Sequence, residues 1–225
     1  MELLVVIAII AILAGLILAV ISRGKRSAGR TVCINNAHQI NLAVIMYADE
    51  HQDMLRGTTN NEPLYYSYKE SILPYLARNE SGPADRLFIC PADDFNCDDK
   101  AIKDLFLFYQ VSGKMFCHQP VTHNSSYFFN GDAANTDDPR LGGGPFAMVK
   151  QPSRFVLVGE LSGAFGLGAH DRKQPYQYSN AMSVMSFVDG HVGFIPMYWN
   201  GVRGFDGIPG LYEPLAGYDY EWMEK

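Results

Sequence analysis

Cys33, Cys90, Cys97 and Cys117 are the side chains of this 225-residue chain best suited to covalent or metal chemistry, and their spacing decides which. No two stand as CxxC and none has zinc-type spacing to other ligands, which weakens a metal reading. An even number of cysteines in an exported domain suits two disulfides, whereas a cytoplasmic domain keeps its thiols reduced; the spacing leaves the connectivity open. The six histidines, at 38, 51, 118, 123, 170 and 191, form neither HExxH nor an i,i+4 pair, so they predict no catalytic zinc centre. Asp132, Asn135, Asp137 and Asp138 cluster hard oxygen ligands within seven residues, which suits Ca²⁺. They lack the EF-hand spacing and its bidentate Glu, so a solvated acidic loop is the stronger reading, as it is for Asp93, Asp94, Asp98 and Asp99. Asp189, Gly190 and His191 could form an acid-base or metal site, but Asp-Gly is first of all a turn. Gly142-Gly143-Gly144 has no strand and helix around it to make a phosphate cradle. No GxSxG elbow is present, and no constellation of nucleophile, base and orienting group is visible. The expectation is a protein that is not an enzyme and needs no cofactor, with calcium at the 132–138 loop as the one ion the residues suggest.

The elements that position these residues begin with Leu3 to Ile21, nineteen consecutive residues without a charge or a strongly polar side chain. At about 1.5 Å per residue they cover close to the roughly 30 Å hydrocarbon thickness of a bilayer. Arg23, Lys25, Arg26 and Arg30 follow at once, as a headgroup contact would. Taken alone, the positive-inside rule would leave the C-terminal part in the cytoplasm. The formal charge of -6 argues against nucleic acid, because phosphate neutralisation needs clustered Lys and Arg. Cys33, Ala37, Ile40, Val44, Tyr47 and Ala48 then recur at spacings of three and four, with Asn35, Asn36, Gln39, Asn41 and Asp49 between them. This predicts an amphipathic continuation of the helix that ends near Gly57. Gly24 and Gly29 each lower helix stability by about 1 kcal/mol relative to Ala, so the junction is expected to be able to bend or melt when subunits pack.

Beyond residue 57, Gly, Pro, Asn, Asp and Tyr separate short apolar runs, the pattern of a loop-rich domain with a small antiparallel sheet. Arg154 to Gly159, Ser183 to Val188 and His191 to Ile195 read as strands, the last two joined by a two-residue type I′ turn at Asp189-Gly190. A short helix is expected around Lys69 to Ala77, with Ile72, Leu73 and Leu76 inward and Pro74 limiting its length. The expected fold is α+β: a membrane segment over 1–22, its amphipathic continuation over 23–56, and a sheet domain over 57–225.

The string ELLVVIAIIAILA at residues 2 to 14 resembles the N-terminal signature of type IV pilins and type II secretion pseudopilins, in which a glutamate opens the hydrophobic helix. The resemblance implies that Glu2 sets register by pairing with the N-terminal amine of a neighbouring subunit. Pilins of this kind begin with a basic leader, a glycine and a methylated phenylalanine; none precedes Glu2, and the expectation is a leader upstream of Met1, which would reverse the topology argument. A second resemblance is to bacterial prepilin-like proteins with a C-terminal processing-associated segment. It is carried by CINNAHQINLAVIMYADEH (33–51), FICPAD (88–93), SSYFFNGD (125–132), QPSRFVLVGE (151–160) and FVDGHV (187–192). The family's usual histidine, ten residues before the Asp of the Asp-Gly pair, is Ser179 here, so this chain either lacks it or substitutes His170. Because Cys33 and Cys90 fall on recurring elements, the resemblance implies a Cys33–Cys90 disulfide, which leaves Cys97 with Cys117. It also implies a structural subunit of a pilus or pseudopilus. Such a subunit is anchored once in the bacterial inner membrane with its C-terminal domain exported, and ends in a surface or periplasmic filament. Its partners would be other pilin-like subunits, membrane lipid, a prepilin peptidase and an assembly platform. The alternative is a monomeric, membrane-tethered binding module, for glycans among other ligands, that uses the pilin segment for export alone.

Overall fold

The computed structural model describes residues 2–53, 64–76, 84–93, 116–118, 124–130, 145–164, 166–171, 179–199 and 214–222, and in residues 2–4, 19, 64–66, 84, 85 and 116 the backbone alone. One helix, α1, runs unbroken from Glu2 to Glu50. Gly24 and Gly29 sit inside it, and among the described residues only the Pro91 side chain, 3.9 Å from where a Gly29 Cβ would stand, comes near either. The polar run ends it earlier than Gly57, which lies outside the described residues. Gln52 and Asp53 adopt positive φ, and the Asp53 amide returns to the Ala48 carbonyl. Asp tolerates the left-handed region that a helix stop requires, so no glycine is needed there. Helix α2 (Leu64–Ile72) continues as a 3₁₀ turn over Leu73–Tyr75. Ile72 and Leu76 are buried and Leu73 packs against the same core, as their spacing predicts.

Four strands form one antiparallel sheet in the order β1 (Tyr127–Phe129), β2 (Val156–Glu160), β3 (Ala181–Phe187), β4 (Val192–Met197). Short helices lie at α3 (Ala84–Leu87) and, directly after β2, at α4 (Leu161–Ala164). The sheet is covered on both faces. Cys33, Ala37, Ile40 and Val44 of α1 pack with Tyr127, Phe129, Leu157 and Val184 on one side. Phe128, Val156, Met185 and Phe187 pack with Tyr220 and Trp222 on the other. Two-sided burial explains why β2 is apolar at successive positions instead of alternating. β4 is an edge strand and tolerates Pro196, which has no amide to donate.

Two features correct the expectation. β1 is a fourth strand, and Asp189-Gly190 does not form a two-residue type I′ turn. The Phe187 amide donates to the His191 carbonyl, which leaves Val188, Asp189 and Gly190 as a three-residue loop. Gly190 alone takes positive φ (94°), the geometry of a type I turn closed by a left-handed glycine.

Polar side chains on α1 also work inward. Asn41 is fully buried and donates through Nδ2 to the Phe187 carbonyl at 2.9 Å; Asn36 donates to Ile89 O at 3.2 Å. These bonds fix the helix to the hairpin and to the Cys-Pro turn.

Candidate functional site

Among the described residues two regions carry chemistry. The first is the N-terminal half of α1. Every large aliphatic side chain described between Val5 and Ile21 is 51–70 % exposed, so among the described residues nothing covers this half of the helix. It is long and apolar enough to cross a membrane. At its end, Lys25 and Arg26 line a cavity of about 510 Å³ whose other walls include Gly29, Pro91, Ala169 and His170. Arg30 lies over the Phe194 ring, 4.9 Å from its centre, which holds the guanidinium against β4.

The second region is buried. Cys33 and Cys90 form a disulfide with Cα atoms 5.4 Å apart, tying α1 to the turn in which the Asp93 amide donates to the Cys90 carbonyl. That turn is built for Pro91, whose fixed φ suits its second position. Glu160, the last residue of β2 and 1 % exposed, points at this disulfide. Its Oε2 accepts from Ser183 Oγ (3.0 Å) and the Val184 amide (2.9 Å), while Oε1 faces His170 Nε2 at 2.7 Å and Cys90 Sγ at 3.1 Å. His170 Nε2 is also 3.6 Å from Cys90 Sγ. The four ligand atoms of Cys33, Cys90, Glu160 and His170 lie within 4.8 Å of one another. A buried carboxylate beside a buried imidazole costs desolvation that a plain structural disulfide would not require.

Next to it, Asp93 Oδ2 accepts from Ser126 Oγ (2.6 Å) and the Cys117 amide (3.0 Å). Cys117 is a buried free thiol, and burial, together with the Asp93 carboxylate, pushes its pKa up to about 11. Its expected partner Cys97 lies outside the described residues, as do Asp132, Asn135, Asp137 and Asp138 of the predicted calcium loop. Tyr127, whose hydroxyl is 3.4 Å from the Cys33 carbonyl, is raised well above its ordinary value by burial and then by Glu160.

Asp189, Gly190 and His191 stand apart from the buried cluster. Asp189 Oδ1 accepts from the His191 amide at 3.1 Å and meets His191 Nδ1 at 2.6 Å, both side chains solvated. The His191 ring stacks on Phe187 at 4.1 Å. This is the geometry of a turn that holds its own strand entrance. Ser179 is exposed and donates to the Trp199 carbonyl. His170, by contrast, reaches the cluster, and Glu160 was not singled out by the sequence at all. Glu160 and His170 reach one point only because β2 and the segment after α4 fold back over α1, a juxtaposition without a local signature.

No protein-family model matches the chain, and neither a curated protein nor a solved structure matches it. What the architecture itself defines is a long N-terminal apolar helix packed by its C-terminal half on a small antiparallel sheet.

Proposed function

We propose that this chain is a pilin-like structural subunit, held in the bacterial inner membrane by the first half of α1 and assembled into a filament or pseudopilus through that same helix. It performs no catalysis in this reading; its work is mechanical or adhesive. One observation carries it: a single unbroken helix has one half seated in the domain and the other half bare. Covering the twelve exposed Val, Ile and Leu side chains between Val5 and Ile21 is worth on the order of 20 kcal/mol, more than a domain of this size has in net stability. That surface therefore demands a cover, first lipid and then neighbouring copies. Lipid tails are as apolar as Leu, so the exchange of lipid for protein rests on close packing and polar pairing. Ala11, Gly15 and Ala19 recur every four residues, as close helix approach favours, and Glu2 supplies a carboxylate to pair with a neighbour's amine.

The test is Glu2→Ala in the chain expressed with its assembly system. The variant is expected to remain in the membrane fraction and to lose higher-order assembly. Unchanged assembly would refute the subunit reading and leave a simple membrane-tethered domain.

A further inference from the structure

The geometry points to a redox-gated metal site: with the Cys33–Cys90 bond reduced, we infer that Cys33, Cys90, Glu160 and His170 bind one zinc-class divalent cation. The inference does not depend on the filament reading. Two alternatives fit the same residues less well. A hydrophobic core around a structural disulfide has no need of Glu160 or His170, both of whose side chains are almost fully buried. A Cys-His-Glu relay would use the two ring nitrogens separately, one toward sulfur and one toward the carboxylate. Here the same nitrogen, Nε2, faces both Cys90 Sγ and Glu160 Oε1. Convergence of two sulfurs, one nitrogen and one oxygen on a common point is what a cation requires.

The donor set selects the ion. Two thiolates, an imidazole and a carboxylate suit tetrahedral Zn²⁺, at metal–ligand distances of about 2.0–2.3 Å, and not Ca²⁺ or Mg²⁺. Such distances place ligand atoms roughly 3.2–3.8 Å apart, so the 3.6 Å Nε2–Sγ separation already fits and the 2.7 Å Nε2–Oε1 separation must open slightly. Glu160 is oriented beforehand, because Ser183 and Val184 hold its Oε2 and leave Oε1 for the ion. The cavity lined by Lys25, Arg26 and His170 reaches the site's edge and gives a way in. Two thiolates and a carboxylate around a divalent ion leave one net negative charge, which the two cations in that cavity offset.

Electrons balance through an external dithiol. It gives two electrons and two protons to the Cys33–Cys90 bond, which becomes two thiols while the dithiol closes to its own disulfide. The incoming cation then displaces both thiol protons. Oxidation of the pair releases the ion, so one state excludes the other.

The test uses the full chain in detergent with Cys97→Ser and Cys117→Ser, so that no other thiol contributes. A water-soluble phosphine replaces the dithiol; it takes an oxygen from water and leaves both cysteines as thiols. Co²⁺ and Zn²⁺ are then titrated without oxygen. The reduced chain is expected to bind one Co²⁺ with sulfur-to-metal charge-transfer bands and the intense visible bands of tetrahedral cobalt, and to yield it to Zn²⁺; the oxidised chain is expected to show none of these bands. His170→Ala and Glu160→Gln are each expected to weaken binding at least tenfold and to alter the visible bands. Should Glu160→Gln not fold, judged by tryptophan emission, His170→Ala decides alone. A folded, reduced chain that takes up no cobalt, or a cobalt spectrum unchanged by His170→Ala, overturns the proposal.

Discussion

Reducing the Cys33–Cys90 bond, with a chelator present so that no ion replaces it, removes a single constraint from the fold and leaves every side chain in place. The two cysteines are 57 residues apart in sequence. Restriction of the unfolded chain by a loop of that length is worth about 4 kcal/mol in the chain-entropy description. In the native state little compensates, because the helix stays attached through Asn36, Asn41 and the apolar contacts of Ala37, Ile40 and Val44. For a domain of this size the same change lowers the melting temperature by about 10 °C. Urea unfolding of the full chain in mild detergent, with Trp199→Phe so that Trp222 alone emits, reads it directly through tryptophan emission. Trp222 is fully buried and stacked 5.3 Å from Phe128, on the face of the sheet away from the disulfide. Its emission therefore reports global unfolding and not a local change at sulfur. Oxidised and reduced chains that unfold within about 1 kcal/mol of each other would refute the loop-closure reasoning.

Asn130 donates through Nδ2 to Val156 O (2.8 Å) and Trp222 O (2.9 Å), tying the 214–222 segment to β2; Asn130→Ala should cost about 2–3 kcal/mol in the same urea experiment. In a Cys97→Ser chain, Cys117 should alkylate slowly at pH 8, with a rate that levels off only above pH 11. The folded thiol holds its proton more tightly than the unfolded one, so this group contributes its full stability below pH 9 and loses it as pH rises through 11. If the first half of α1 spans a bilayer as proposed, Leu13→Arg places a charge at mid-membrane depth at a cost of about 3 kcal/mol, and should move a measurable share of the chain out of the carbonate-resistant membrane fraction.

Periodicity made the large features legible. Cys33, Ala37, Ile40 and Val44 are buried where a 3.6-residue repeat places them, and the run expected as a strand at 154–159 holds one over Val156–Glu160, buried on both faces. Asp189-Gly190 does mark a hairpin, although of a different type, because only Gly190 needs the left-handed region and Asp189 does not. Asn36 and Asn41 sat in the pattern as polar positions; they are buried because their amides satisfy carbonyls of segments far along the chain, which no local pattern encodes. β1 is illegible for a related reason: three aromatic residues give too short a run to show a period, and tertiary pairing with β2 makes them a strand. The buried cluster was the least legible part. Its members come from a helix, a turn, a strand end and a loop, and ligand spacing betrays a site only when its residues share a local element.

In the proposed subunit the bare half of α1 is a surface that neighbouring copies cover. Single cysteines introduced between residues 5 and 20, in a Cys97→Ser, Cys117→Ser chain assembled in its native envelope, test this most directly. Helix-to-helix packing of copies predicts oxidative crosslinks between subunits that follow one helical face and give a ladder when two such positions are combined; monomers alone, at every position, would refute it.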